Sequence, residues 1–346
     1  MTIRSALSGG FRLVRSSPRA LWLTYGMTLV LSAVLALGFR SMVSNAVGET
    51  LATEKLTANF DYTVYSDFMN KFGERYHVVS SEVLWMIFIS MLLSTFLAGG
   101  IFESYRHPRQ TSTGAFFEAC GSYLWRYLRL LLLGAVVAAV VAVGTFMVLS
   151  LFYSNWTQDA VSEVVAVKAL ATVAGVFLVV FGIAILFHDY ARVSVFRSDE
   201  RSVLNAYGRS ILFVLSNLHK VLAIEIVYFL VTVAMILVYF SLESAVGMTS
   251  AGGILVVFLV QQVFVISRAG VRLAAMGSEF AYFGGVESEK RERSVSAMIQ
   301  ASLQPRADIE SSQPLPAAVE GRPPKSARRA IRKPVPTSRR RPRGRS

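Results

Sequence analysis

One cysteine, Cys120, stands among 346 residues, so no disulfide can close within the chain. The four histidines, His77, His107, His188 and His219, are scattered, which leaves a structural zinc site almost nothing to use. There is no GxxxxGK[ST] loop, no GxGxxG fingerprint and no HExxH pair. No metal, no cofactor and no catalytic constellation are therefore expected. Charge is scarce as well. Asp, Glu, Lys and Arg are 16% of the chain, against roughly 25% in an average soluble domain, while hydrophobic residues are 53%. That balance argues against a soluble enzyme. The net charge of +13 is uneven. Residues 1–286 hold 20 basic and 16 acidic groups, and residues 321–346 hold 11 basic groups and no acid.

What the chain does have is apolar runs of bilayer length. Uncharged stretches of 20 residues lie between Arg19 and Arg40 and between Glu82 and Glu103. Further runs lie between Arg129 and Asp159, Lys168 and His188, Lys220 and Glu243 (interrupted by Glu225), and Glu243 and Arg268. A helix rises 1.5 Å per residue and needs about 20 residues to cross a hydrocarbon core of ~30 Å. Six spans follow, at about 20–39, 83–102, 130–153, 169–187, 221–242 and 250–268. The first is longer than the 7–15 apolar residues of a signal peptide and reads as a retained span. Basic residues crowd alternate connections: Arg4, Arg12, Arg15 and Arg19, then Arg106, Arg109, Arg126 and Arg129, then Arg192 to Lys220, then the tail. By the positive-inside rule both termini are cytoplasmic.

Amphipathic stretches precede alternate spans. Leu7, Phe11 and Val14 mark one, and Phe116, Phe117, Cys120, Leu124, Tyr127 and Leu128 a second. Val203, Tyr207, Ile211, Leu215 and Leu218 mark a third. Such helices lie in the membrane interface. The expected fold is an all-α polytopic membrane protein. Its six transmembrane helices form three hairpins, each preceded by a cytoplasmic interfacial amphipathic helix. Residues 1–286 make the membrane domain. Within the outer loop 41–82, Tyr65, Phe68, Phe72 and Tyr76 share one face of a short helix. Small residues at Gly134, Ala138 and Ala142 and at Ala171 and Gly175 favour close packing, which would put the third and fourth spans in the middle of the bundle.

Certain local patterns go further. They are Asp189-Tyr-Ala-Arg192, the turn Arg197-Ser-Asp-Glu-Arg201, the helix Leu204–Leu218, and Gly99-Gly100 with Phe116-Phe117 downstream. With these, residues 5–280 resemble bacterial six-span membrane proteins akin to the membrane domain attached to glycerophosphoryl diester phosphodiesterases. The resemblance implies a fold style and a bacterial inner-membrane location. It implies no activity, because the phosphodiesterase domain has no counterpart in these residues.

Two polar groupings are candidate sites. Glu225 lies within a span, where a carboxylate costs about 2.5–3.5 kcal/mol at the centre and must find a partner. Arg268 is the candidate partner, with Gln261 and Gln262 deeper in the sixth span, and the set could serve as a relay. At the cytoplasmic face Glu103, Arg106, His107, His188, Asp189 and Arg192 could cluster, both acids preceding an arginine by three residues. Residues 287–346 form a cytoplasmic, largely disordered tail rich in proline and arginine. Its Arg328, Arg329, Arg332, Lys333, Arg339, Arg340 and Arg341 are suited to anionic lipid headgroups, at about 1 kcal/mol each near such a surface. No aromatic residue interleaves them, so nucleic acid is the weaker partner.

The function read from these features is a non-enzymatic integral inner-membrane protein with a structural, assembly or regulatory role and a possible protein partner. The alternatives are a transporter or channel for a small or lipid-like solute, and a membrane-embedded enzyme acting on lipid.

Overall fold

The structure, a computed structural model of the chain, describes residues 1–47, 62–158, 162–246 and 250–303. These residues are helical throughout apart from short turns, with no strand among them. In order the helices are α1 (Ile3–Ser16), α2 (Pro18–Val47), α3 (Tyr62–Arg106) and α4 (Thr113–Thr157). They are followed by α5 (Glu163–Ser198), α6 (Val203–Ser216), α7 (Leu218–Ala245) and α8 (Ala251–Leu303). Six of them are long and apolar enough to cross a membrane, within Pro18–Gly38, Ser81–Arg106, Thr113–Thr157, Glu163–Ser198, Leu218–Ala245 and Ala251–Gln300. By that measure the chain is a multi-pass membrane protein. Met1–Ser294 form one compact unit, and Val295–Ser346 a second, described only for the end of α8.

Helix boundaries follow local chemistry. Thr2, Ser112, Ser162 and Ser202 each stand before a helix and accept a bond from a backbone N–H of its first turn, the usual role of a hydroxyl N-cap. Pro18 opens α2, where its missing N–H costs nothing. Asp199 ends α5 in the left-handed region, φ 47°, which Asp tolerates better than a branched residue.

Two expectations change here. The stretch 113–128 is not a separate interfacial helix. It runs without a break into the rest of α4, because nothing near Arg129 caps or kinks a helix. Likewise residues from Tyr62 onward are already helical and continuous with the second span, so the stretch from Tyr65 to Tyr76 is not a separate short helix. The side chains of Phe68, Phe72 and Tyr76 lie outside the described residues. The segments 5–17 and 204–218, by contrast, correspond to the distinct helices α1 and α6.

The core gathers where the start of α2, α4 and α7 meets the end of α3 and α5, with α1, α6 and the middle of α8. Phe102, Phe196 and Phe280 form a triangle with centroids 5.6, 5.8 and 6.1 Å apart, joining α3, α5 and α8. Arg106 and Arg197 cover two of its rings at 5.0 and 4.2 Å, within cation–π range. Away from this end the helices turn large apolar side chains outward: Val136, Val140, Leu178, Val179, Leu230 and Leu259 among them. The small-residue expectation fails for α5. Ala171 and Gly175 are exposed, and what α5 buries in the core is Tyr190, Ala191 and Val193 to Phe196 near its end, beside Leu273 to Phe283 of α8. A small side chain permits close approach but does not select which helix approaches.

α6 also differs in detail. It buries Ala206, Tyr207, Ser210, Phe213 and Val214, while Leu215 of the expected stripe is exposed. A row of strict four-residue steps drifts about 40° per step around a helix. A flat contact therefore needs mixed steps of three and four.

Candidate functional site

The end of the bundle holds charges that a membrane interior would expel. Asp189 and Arg192 sit one turn apart on α5 and form an ion pair, their side chains 21% and 13% exposed. Tyr127 of α4 donates from its hydroxyl to the Arg192 carbonyl at 3.4 Å. Across the core, Glu279 of α8 is 3% exposed. Its carboxyl lies within hydrogen-bonding reach of Glu225 on α7, and Asp189 is close enough to act on both. A hydrogen bond between two carboxyls holds a proton. One oxygen of each, Oε1 of Glu225 and Oε2 of Glu279, is buried without a hydrogen-bond partner. Such groups persist in an interior only when paired, since an isolated buried charge is far more costly.

Three tyrosines clamp α8 beside this pair. Tyr105 of α3 donates to the Leu273 carbonyl at 2.8 Å. Tyr228 of α7 donates to the Ala274 carbonyl at 3.0 Å and lies 2.7 Å from Ser278 Oγ. Tyr282 donates to Asn217 Oδ1 at 3.1 Å. The first two tyrosines link α8 to other helices, and the third links it to the turn between α6 and α7. Tyr190 is fully buried among the same carboxyls with its hydroxyl unpartnered. Outside the spans, burial raises the Tyr207 hydroxyl, with the Asp189 charge adding to it. The Arg126 guanidinium bonded to Asp199 holds that carboxyl below its ordinary value.

The two candidate sites are redistributed. Glu225 does not pair with Arg268; its neighbour is Glu279. The glutamines go to different helices: Gln261 donates to Tyr239 Oη of α7 at 3.2 Å, and Gln262 accepts from Tyr25 Oη of α2 at 2.7 Å. No chain of contacts therefore runs from Gln261 through Arg268 to Glu225. The other set splits in two. Glu103 faces His107 at 3.7 Å and Arg106 covers Phe196, whereas Asp189 lies seven residues, roughly 10 Å, back along α5 from Phe196. Only the Asp189–Arg192 motif makes an ion pair. His188 rests its ring against Gly134 of α4, where a side chain would collide with Nδ1, and that nitrogen has no partner. The basic tail residues Arg328 to Arg341 lie outside the described residues. Among the described residues no group of three His, Cys, Asp or Glu is placed to hold a metal ion.

Glu279 lies 11 residues beyond Arg268, where the sixth span was expected to end. The signal was nevertheless present. At ~100° per residue, Gln261, Arg268, Arg272 and Glu279 fall within about 40° of one another, a polar stripe down one face of α8. Arg268 and Arg272 open onto a cleft of about 410 Å³ between α2, α3 and α8. No family model, curated protein or solved structure matches the chain.

Proposed function

We propose that this chain is a non-enzymatic integral protein of the bacterial inner membrane that supports or regulates an assembly there. In this reading its six spans form three hairpins with both termini in the cytoplasm. α1 and α6 are the interfacial helices that lead into their hairpins. The tail lies against anionic lipid headgroups. The observation that carries the reading is the course of α8 beyond Phe283, the last large buried side chain in it. Its next turns are solvated and laced by Glu287–Arg291 and Glu289–Arg293 pairs. The N-terminal ammonium sits 3.0 Å from Glu289, so the chain's start and this helix share one side. A polar helix continuing from an apolar body is of little use to the bilayer and well suited to a protein partner.

The test is native mass spectrometry of the full chain extracted in native lipid discs. A second protein retained at fixed stoichiometry, and lost when Glu287, Glu289, Arg291 and Arg293 are changed to Ser, supports the reading. A chain that leaves the disc alone or with lipid only overturns it.

A second reading is favoured by the polar stripe of α8, which links the cleft to the carboxyl pair: transport of a lipid-like anion. Uptake or release in proteoliposomes that collapses with Glu225→Gln would favour it over the first.

A further inference from the structure

The cleft between α2, α3 and α8 has walls of two kinds. Toward one end it presents Arg268 and Arg272, with Ser94 bonded to Arg272 at 2.6 Å. Thr24 Oγ1 lines the same end, buried and without a partner. Toward the other end it is lined by Leu31, Leu35, Val83, Met86 and Ile87. Neither arginine forms an ion pair among the described residues, whereas Arg126, Arg192 and Arg209 pair with carboxylates and Arg106 and Arg197 cover aromatic rings. Both residues are exposed and line the cleft.

Distances along the helices give the cleft a scale. Arg268 and Arg272 stand 17 and 21 residues after Ala251, about 26 and 32 Å along α8. One hydrocarbon thickness from the start of that span therefore brings the chain to the two arginines. From Ser94 the wall of α3 continues to Val83, 11 residues or roughly 16 Å. That is close to half of a ~30 Å hydrocarbon core. The volume of about 410 Å³ falls in the ~300–1,000 Å³ range of sites that hold a small ligand.

From this geometry we infer that the cleft binds one anionic phospholipid from the bilayer, its phosphate between Arg268 and Arg272 and an acyl chain along Leu35, Met86 and Val83. Two planar guanidiniums one turn apart suit the oxygens of a phosphate diester. An amphiphile satisfies the charged and apolar ends together. A free inorganic anion would satisfy only the arginines and would leave the apolar wall empty. The site is distinct from the tail, whose basic residues meet headgroups at the membrane surface. It does not depend on whether the protein recruits a partner.

The test is native mass spectrometry of full-length protein released from discs containing equal phosphatidylglycerol and phosphatidylcholine. It is run on a background in which Arg339, Arg340 and Arg341 are Gln, so that tail binding does not contribute. One phosphatidylglycerol per chain should survive activation that strips the rest. Arg268→Gln with Arg272→Gln should lower its retention by about tenfold or more, the worth of charged hydrogen bonds to a phosphate. Met86→Trp, which fills the apolar part and leaves both arginines in place, should also displace it, and a circular dichroism spectrum confirms that each variant folds. Equal retention by the double Gln variant, or equal retention of phosphatidylcholine, overturns the inference. Displacement by millimolar inorganic phosphate with no effect of Met86→Trp identifies a simple anion site and overturns it as well.

Discussion

The crossing of α1 over α8 turns on Gly10, and replacing it with Ala gives a sharp test of the packing. A Cβ at Gly10 would stand 2.5 Å from the Ala274 carbonyl oxygen and 2.7 Å from the Ser278 nitrogen, and would run into Ser278 Oγ. Two of those obstacles are backbone, so no rotamer change relieves them. Gly277 meets the same crossing from the other side, with Gly10 Cα 3.1 Å from its own would-be Cβ. Helices this close have no room for a methyl group. Forcing extra volume into a packed site costs typically 1–3 kcal/mol, and a backbone clash belongs at the upper end. Against it stands helix propensity, which favours Ala over Gly by up to about 1 kcal/mol. The expected balance for Gly10→Ala is a loss of about 2 kcal/mol. Gly26 of α2 supplies the control, because a Cβ there meets nothing within 4 Å. Gly26→Ala should be neutral or gain up to about 1 kcal/mol. The assay is denaturant unfolding in a mild detergent followed by circular dichroism, with both variants compared under one condition. If Gly10→Ala is as stable as Gly26→Ala, α1 does not seat against α8 as described and the argument fails.

Three further outcomes follow from the charged groups. Glu279→Gln keeps a hydrogen bond to Glu225 and should change stability by less than ~1 kcal/mol, whereas Glu279→Ala strands Glu225 and should cost about 3 kcal/mol or more; thermal unfolding in detergent separates the two. Arg192→Ala leaves Asp189 without its partner and should cost roughly 3–5 kcal/mol, and a double variant that also carries Asp189→Ala should recover part of that loss in a double-mutant cycle. Asp199 titrates below its ordinary value because Arg126 is bonded to it. A carboxyl lowered in the folded state stabilises fully above the unfolded Asp value of about 3.9 and loses that effect as pH falls through the lowered value. Wild type should therefore exceed Asp199→Asn at neutral pH and converge with it on acidification. Because Asp199 is exposed, the difference should be small and should shrink in high salt; an advantage that grows toward low pH would show the sign to be wrong.

Particular residues show where sequence reasoning reached and where it stopped. Asp189 and Arg192 were legible as a pair because both belong to one helix, three residues apart, and helix geometry alone brings them together. Their apparent equivalents Glu103 and Arg106 have the same spacing, yet Glu103 turns to His107 and Arg106 to Phe196. Spacing permits such a contact; the neighbouring helices choose among those permitted. Glu225 was conspicuous because it interrupts an apolar run. Its partner was assigned to the wrong residue because Arg268 carries the complementary charge, while Glu279 offers a shared proton instead. Tyr105, Tyr228 and Tyr282 raised no signal, since a tyrosine near a span's end is ordinary until its hydroxyl is seen to reach another helix.

The sequence by itself determined the helical class and the number of helices long and apolar enough to cross a membrane. These depend on hydrophobicity summed over some 20 neighbouring residues, and the bilayer reads that sum locally. Tertiary structure alone decided that α5 buries Tyr190 and Phe196 rather than Ala171 and Gly175, and that Glu225 meets Glu279. It also left Arg268 and Arg272 facing a cleft rather than a carboxylate. Each of those outcomes depends on the rotation of one helix relative to another. In a membrane that rotation is set by shape, small residues and hydrogen bonds between helices, because apolar surface gains little by leaving lipid for protein. An apolar run states that a helix will be present and leaves open which way it faces.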